Sequence, residues 1–296
     1  MPELHFDGRV AIVTGAGGGL GREHAKLLAA RGARVVVNDV GGALDGTGTS
    51  TTPGDETAAA IRAAGGDAVV DANSVATPDG GEAIVQTALD AFGRVDIVVN
   101  NAGILRDKAF HNLTDDLVEA VLDVHLRGAF NVTRPAWRLM REQQFGRVVN
   151  TTSNAGLLGN YGQANYAAAK TGLVGLTNVL AIEGARYGIK VNAIAPVART
   201  RMTEELFAGI SELGPEQVAP VVALLAHDDC PVSGHVYSVA GGRVARFFVG
   251  LTHGFVDGAL TPESVRDHLD EIEDRTGYVV LDSAGAELQV LLDALR

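Results

Sequence analysis

The chain has 296 residues and a net charge of -12 at neutral pH, which excludes a nucleic-acid binder that depends on a basic face. A hydrophobic fraction of 46% with 20% charged residues suits one large α/β domain or two small ones, with a core of useful size. Cys230 is the only cysteine, so no intrachain disulfide can form and a reducing compartment is expected.

The first ten residues, MPELHFDGRV, carry charges where a secretion signal would be apolar. No apolar run reaches membrane-spanning length, so a cytoplasmic location and no membrane contact are expected. RVAIVTG is an apolar run ending in glycine and reads as a buried parallel strand. GREHAKLLAARG has helical spacing and stops at Gly32, and ARVVVND is the next strand. Gly41 to Asp55, rich in Gly, Ser and Thr, reads as a long surface loop. ETAAAIRAAGG is a helix, DAVVDAN a strand, GGEAIVQTALDAFG a helix and RVDIVVNNAG a strand. Residues 114–143 form one long helical stretch, with a break expected near Gly128 or Pro135. GRVVNTTS is a strand, a helix holding Tyr166 follows, and IKVNAIAP is another strand. GHVYSVAGG reads as a closing strand, and TPESVRDHLDEIEDRTG as one helix capped by Thr261 with Pro262 at its first position.

Strand and helix alternate, which predicts a Rossmann-type doubly wound parallel sheet with helices on both faces. Residues 1–245 are assigned to that domain and residues 246–296 to a C-terminal helical extension packed on it. Leu269, Ile272, Val279 and Leu281 supply the extension's apolar anchors.

TGAGGGLG, Thr14 to Gly21, follows the first strand and opens the first helix. Gly15 permits the tight turn, and Gly19, Leu20 and Gly21 bring backbone N–H groups and the helix N-terminus toward a pyrophosphate. Asp39 closes the second strand, where a carboxylate accepts hydrogen bonds from an adenosine ribose and repels a 2′-phosphate; no Lys or Arg follows to neutralise one, so NAD is favoured over NADP. NNAG, including Asn101, Ala102 and Gly103, ends the fourth strand, at the sheet edge where ligands lie.

Tyr166 and Lys170 stand four residues apart and share a helix face. A free tyrosine has a pKa of about 10, and a neighbouring ammonium is expected to lower it toward neutrality. Ser153, at the end of a strand upstream, is placed to hold a substrate oxygen. Tyr161 is the competing tyrosine but has no lysine four residues on.

By these motifs the chain resembles the short-chain dehydrogenase/reductase family over residues 6 to about 242. VVVNDVGG, ALDAFGRVDIVVNNAGILRD, VHLRGAF and GQANYAAAK are similar to the dehydrogenase part of peroxisomal multifunctional enzyme type 2, and TPESVRDHLDEI extends that likeness. The resemblance implies that Ser153 orients a carbonyl, Tyr166 is the acid/base, and Lys170 binds ribose and tunes Tyr166. It implies that Pro196 and Thr200 lie beside the nicotinamide, that Asn101 and Gly103 line the adenosine side, and that Asn73 and Ser74 contact adenine. The family's catalytic asparagine falls at His125, and its proline-glycine pair at Pro196-Val197.

The resulting expectation is an NAD-dependent oxidoreductase acting on a 3-hydroxyacyl-CoA, with no metal and no nucleic acid. A hydroxysteroid or steroid side-chain dehydrogenase is the enzymatic alternative, and an NAD(H)-sensing protein without turnover the alternative of another class. Arg199 and Arg201 are candidates for CoA phosphates. Leu173, Leu176 and Leu180 at helical spacing, with Gly172 and Gly175, point to a homodimer or homotetramer built near the catalytic helix.

Overall fold

In a computed structural model of the chain, residues 3–200, 203 and 209–295 are described, Ser211 for its backbone alone. Arg201 lies outside the described residues. The chain divides into two compact units, residues 1–246 and 247–296.

The main sheet comprises the strands β1 (Val10–Thr14), β2 (Arg34–Asn38), β3 (Asp67–Asp71), β4 (Ile97–Asn100), β5 (Gly146–Thr151), β6 (Ile189–Pro196), β7 (Val236–Ala240) and β8 (Arg243–Phe247). Their order is β3-β2-β1-β4-β5-β6-β7-β8, and the strands from β3 to β7 pair in parallel. Successive strands step outward in opposite directions from β1, so the β1–β4 boundary opens a crevice at the carboxyl ends of the strands.

Burial on both faces explains why these strands read as unbroken apolar runs. Ala11 and Val13 of β1 join one core cluster, with Leu28, Val35, Val37 and Leu225. Val10 and Ile12 join the other, with Val36, Ile84, Met140 and Val148. The helices are α1 (Gly19–Ala30), α2 (Thr52–Ala63), α3 (Pro78–Phe92), α4 (Asp115–Leu122), α5 (Gly128–Gln143), α6 (Asn154–Leu158), α7 (Ala164–Gly184) and α8 (Ala219–Ala226).

Several elements differ from the sequence reading. Helix α2 starts at Thr52, inside the expected loop, because Pro53 sits in its first turn, where a missing N–H costs nothing. The long helical stretch continues through Pro135; its irregularity is a π-helical turn at Asp123–Arg127, just before Gly128. Helix α8 was not anticipated, since eight mostly apolar residues show no clear period. Strand β7 does not close the sheet: Gly241 and Gly242, both with positive φ, turn the chain into β8.

The second unit holds α9 (Pro262–Asp267), α10 (Leu269–Ile272), α11 (Ala284–Ala294) and an antiparallel pair, β9 (Gly250–Leu251) with β10 (Val279–Val280). The expected single helix is therefore two, divided at His268, whose φ is -111°. Thr261 caps α9: its Oγ1 accepts from Ser264 N at 3.0 Å, and Thr261 N donates to Ser264 Oγ at 3.0 Å.

Candidate active site

A cleft of about 980 Å³ lies at the carboxyl ends of β1, β2, β4, β5 and β6. Of the described residues assigned to the site from sequence, all but Gly21 and the CoA-phosphate candidate Arg199 line it.

The glycine-rich turn forms the floor. Gly15 has a φ of +64°, and a Cβ there would stand 2.8 Å from Ala102 Cα, so only glycine lets the two loops touch. Helix α1 begins at this floor with Gly18 as a cap that offers no side chain, and its first turn holds no acidic residue. Its open N–H groups therefore face the cleft with the positive end of the helix dipole. A Cβ on Gly18 would meet nothing within 4 Å among the described residues, so they leave the backbone there open to close approach. These features fit a dinucleotide pyrophosphate.

Gly21 works differently from the expectation. A Cβ on it would lie 2.2 Å from Gly15 O and 2.5 Å from Asn101 Nδ2, so helix-to-loop packing by itself requires its bareness.

Asp39 is held at the end of β2 by two backbone donors. Gly17 N donates to its Oδ2 at 2.7 Å and Gly41 N to its Oδ1 at 2.6 Å. Gly17 was missed as a site residue, though it stood inside the quoted motif: a Cβ on it would lie 2.7 Å from that same Asp39 oxygen. Asn73 and Ser74 line the cleft, but the Asn73 amide turns away from it and donates to Asp71 Oδ2 at 2.9 Å. Its role toward adenine is thus limited to what its other atoms offer.

The loop after β2 is more than a surface connection. Leu105 N donates to Leu44 O at 3.0 Å, and Arg106 Nε donates to Asp45 O at 2.8 Å, so Gly42, Ala43, Leu44 and Gly46 wall the cleft.

Thr14, also missed, locks the NNAG turn. Its hydroxyl accepts from Asn101 N at 3.0 Å and Ala102 N at 3.1 Å, and Asn101 Nδ2 donates to Thr14 O at 2.9 Å. Gly103 leaves room for His125, whose Cε1 would stand 2.4 Å from a Cβ at that position.

Ser153, Tyr166 and Lys170 converge at the other end. Ser153 ends the β5 segment and caps α6, its Oγ accepting from Ala155 N at 3.2 Å. Tyr166 and Lys170 sit on α7 with the Nζ 5.5 Å from the phenol ring centroid. Asn165 seats the start of that helix, donating at 3.0 Å to both Arg106 O and Leu117 O.

The electrostatics correct one expectation. Burial pushes the Tyr166 phenol above its ordinary range; the Ser153 hydroxyl beside it pulls back, and the Asp107 carboxylate adds to the rise. Lys170 does not lower it, because burial has pushed the lysine itself down to about 7. Its ammonium donates to Thr151 O. The phenol is therefore protonated at neutral pH, and the lysine stands near its own midpoint.

His125 lies in the π-helical turn, edge-on to Tyr166 with ring centroids 5.2 Å apart. Its Nε2 is 3.1 Å from Ile104 N and 2.8 Å from Ile104 O, which fixes the chain that follows NNAG. Burial holds the imidazole well below its ordinary pKa, so it is neutral, and its Nδ1 has no hydrogen-bond partner among the described residues. The buried Thr151 Oγ1 at the cleft also has none among them.

A glycine floor at a sheet switch point, an acidic ribose-side residue and a Ser–Tyr–Lys cluster together define an oxidoreductase of the nicotinamide-dependent type. The chain belongs to the short chain dehydrogenase family, whose pattern it matches over residues 9–210. It is 56% identical over 240 residues to a short-chain type dehydrogenase/reductase of Mycobacterium tuberculosis, covering 80% of this chain and 84% of that protein. It is 43% identical over 256 residues to a hydroxyacyl-CoA dehydrogenase of the same organism, with 81% and 79% covered. The full-length peroxisomal multifunctional enzyme type 2 of Drosophila melanogaster superposes with a TM-score of 0.83 at 39% identity, over 99% of this chain and 50% of that one. The chain thus spans about half the length of that multifunctional relative. Among the described residues, no helix is long and apolar enough to cross a membrane.

Proposed function

We propose that this dehydrogenase uses NAD(H) to interconvert a 3-hydroxyacyl-CoA and its 3-oxoacyl-CoA. The observation that carries the proposal is the convergence of Ser153, Tyr166 and Lys170 at one end of a cleft whose other end is closed by Asp39. Similarity to a hydroxyacyl-CoA dehydrogenase over 81% of the chain supports the substrate class.

In the oxidative direction Tyr166 Oη takes the proton of the substrate hydroxyl, and Ser153 Oγ holds the same oxygen in place. The bound cofactor supplies the hydride acceptor and, when oxidised, a cationic ring. Lys170, fully desolvated, is held on Thr151 O from below and offers its remaining N–H groups to cofactor hydroxyls. His125 is neutral and keeps Ile104 in place, so its part is to set the cleft wall behind Tyr166. Asp39 selects NAD: both its oxygens are aimed by backbone N–H groups, and the carboxylate would repel a 2′-phosphate.

Retention of Ser153, Tyr166 and Lys170 together speaks against an NAD(H) sensor without turnover. The protein is also proposed to be a homo-oligomer joined near the catalytic helix. The face concerned carries Phe130 on α5 with Val179 and Ile182 on α7, all exposed; Leu173 and Leu176, part of the expected stripe, are internal.

The direct test is NADH absorbance on addition of acetoacetyl-CoA. Loss of absorbance at a rate set by enzyme concentration is expected. No consumption with acyl chains from four to sixteen carbons would overturn the acyl-CoA assignment.

A further inference from the structure

The chain that follows the NNAG turn is stitched to the start of the catalytic helix. Lys108 N donates to Gly162 O at 2.9 Å, Gln163 Nε2 donates to Asp107 Oδ2 at 2.7 Å, and Asn165 Nδ2 donates to Arg106 O at 3.0 Å. Gln163 is the N-cap of α7, yet its side chain makes no cap bond to the helix. Its amide N–H goes to Asp107 instead, and its Oε1 accepts from Asn160 Nδ2 at 2.9 Å. Asp107, Asn160 and Gln163 all line the cleft. The sequence motifs assign Asp107 no role.

This stitching sets a carboxylate beside the N-terminus of a 21-residue helix whose first turn holds no acidic residue. The positive end of the helix dipole lies there. Tyr166 belongs to that same first turn, three places after the cap. The helix end favours a phenolate at Tyr166, and a fixed negative charge outside that end disfavours one. Gln163 is neutral, and no described cation forms an ion pair with Asp107, so the charge is not cancelled. Arg106, its neighbour in the chain, turns its Nε to Asp45 O. The other ionisable groups facing Tyr166 are Lys170 on its own helix and His125 on the π-helical turn. Helix α4 packs there with Ala120, Val121 and Leu122, which carry no charge.

We infer that Asp107 is a positioning residue for the reaction: held by Gln163 at the head of α7, it opposes the helix end and keeps Tyr166 a stronger base in oxidation. In reduction the same charge keeps the phenol protonated over a wider range of pH. The inference rests on Tyr166 as the acid/base of the reaction proposed above. Burial is the largest cause of the raised phenol, and the Asp107 carboxylate acts in the same direction. Asp107→Asn keeps an oxygen that can accept from Gln163 Nε2 and removes only the charge. Asp107→Glu keeps the charge. Gln163→Met releases the carboxylate from its anchor.

The test titrates the Tyr166 phenolate of the full chain by its ultraviolet absorbance, each protein being read against the same protein carrying Tyr166→Phe. In parallel, kcat/KM for oxidation of 3-hydroxybutyryl-CoA with NAD is recorded against pH. Asp107→Asn is expected to lower both midpoints by about half to one pH unit and to raise oxidation at pH 7 about two- to threefold. Asp107→Glu should stay within about 0.3 unit of the parent. Gln163→Met should lower the midpoints by a smaller amount, and carries the test if Asp107→Asn does not fold. Unchanged or raised midpoints in the variant that carries the test would overturn the inference. So would a loss of turnover at every pH with the midpoints in place, which marks a merely structural contact. Asp107→Glu behaving like Asp107→Asn would overturn it as well. If the parent does not turn over 3-hydroxybutyryl-CoA, the acyl-CoA reading fails, and the phenolate titration still decides the role of Asp107.

Discussion

Replacing Lys170 by methionine should make the protein more stable and inactive at once. Lys170 is fully buried, and burial pushes its pKa from the ordinary 10.5 down to about 7. Below pH 7 the folded and unfolded chains both carry the charge, and the folded one bears the full desolvation cost, at most about 5 kcal/mol for such a shift. Between pH 7 and 10.5 the folded lysine is neutral while the unfolded one is still protonated, so the unfolded chain binds more protons and stability rises with pH. Above 10.5 the cost is gone. Methionine fills similar space without a charge. It gives up the hydrogen bond to Thr151 O, worth about 1–2 kcal/mol. The net gain at pH 6 is then about 3 kcal/mol, or roughly 6 °C in Tm for a chain of this size. Differential scanning fluorimetry of both proteins without cofactor, from pH 6 to pH 10, reads the effect. The gap should be widest at pH 6 and close toward pH 10. A variant less stable than the parent at pH 6, or a gap independent of pH, would refute the account of Lys170 as a strained buried base. Turnover should fall by about 10²-fold or more, which marks the strain as kept for function.

Tyr166→Phe should lower turnover by about 10²–10⁴-fold while NADH titration still shows binding, because packing is kept and the proton acceptor is lost; turnover within tenfold of the parent contradicts the assignment. Because the Tyr166 phenol is raised by burial and oxidation needs its deprotonated form, kcat/KM for alcohol oxidation should climb with pH above neutrality and that for ketone reduction should fall. A flat oxidative profile between pH 7 and 10 counts against Tyr166 as base. Asp39→Ala should raise NADP use relative to NAD by about tenfold, read from the ratio of kcat/KM values; equal use of both by the parent would remove the basis for the carboxylate's role. Light scattering at micromolar concentration should give at least twice the monomer mass of 30.7 kDa, and a mass near that of one chain would rule out the proposed association.

What the sequence determined by itself was what depends on local order. Apolar runs buried on both faces name their strands, and a glycine-rich turn after the first of them names the cofactor floor. Tyr166 and Lys170 were legible because a helix face repeats every four residues, whatever packs on it. Tertiary structure decided the rest, because it turns on which groups meet across the chain. Gly21 reads as a ligand glycine in its motif, and the fold needs it bare because a Cβ there would meet Gly15 O and Asn101. Asn73 was aimed at adenine, and the carboxylate of Asp71 drew its amide away. A lysine four residues from a tyrosine suggested a lowered phenol, but burial, which no spacing reveals, lowered the lysine and raised the tyrosine instead. Thr14, Gly17 and Asn165 act through partners between 22 and 88 residues away, and only the folded chain brings those partners within 3 Å or so.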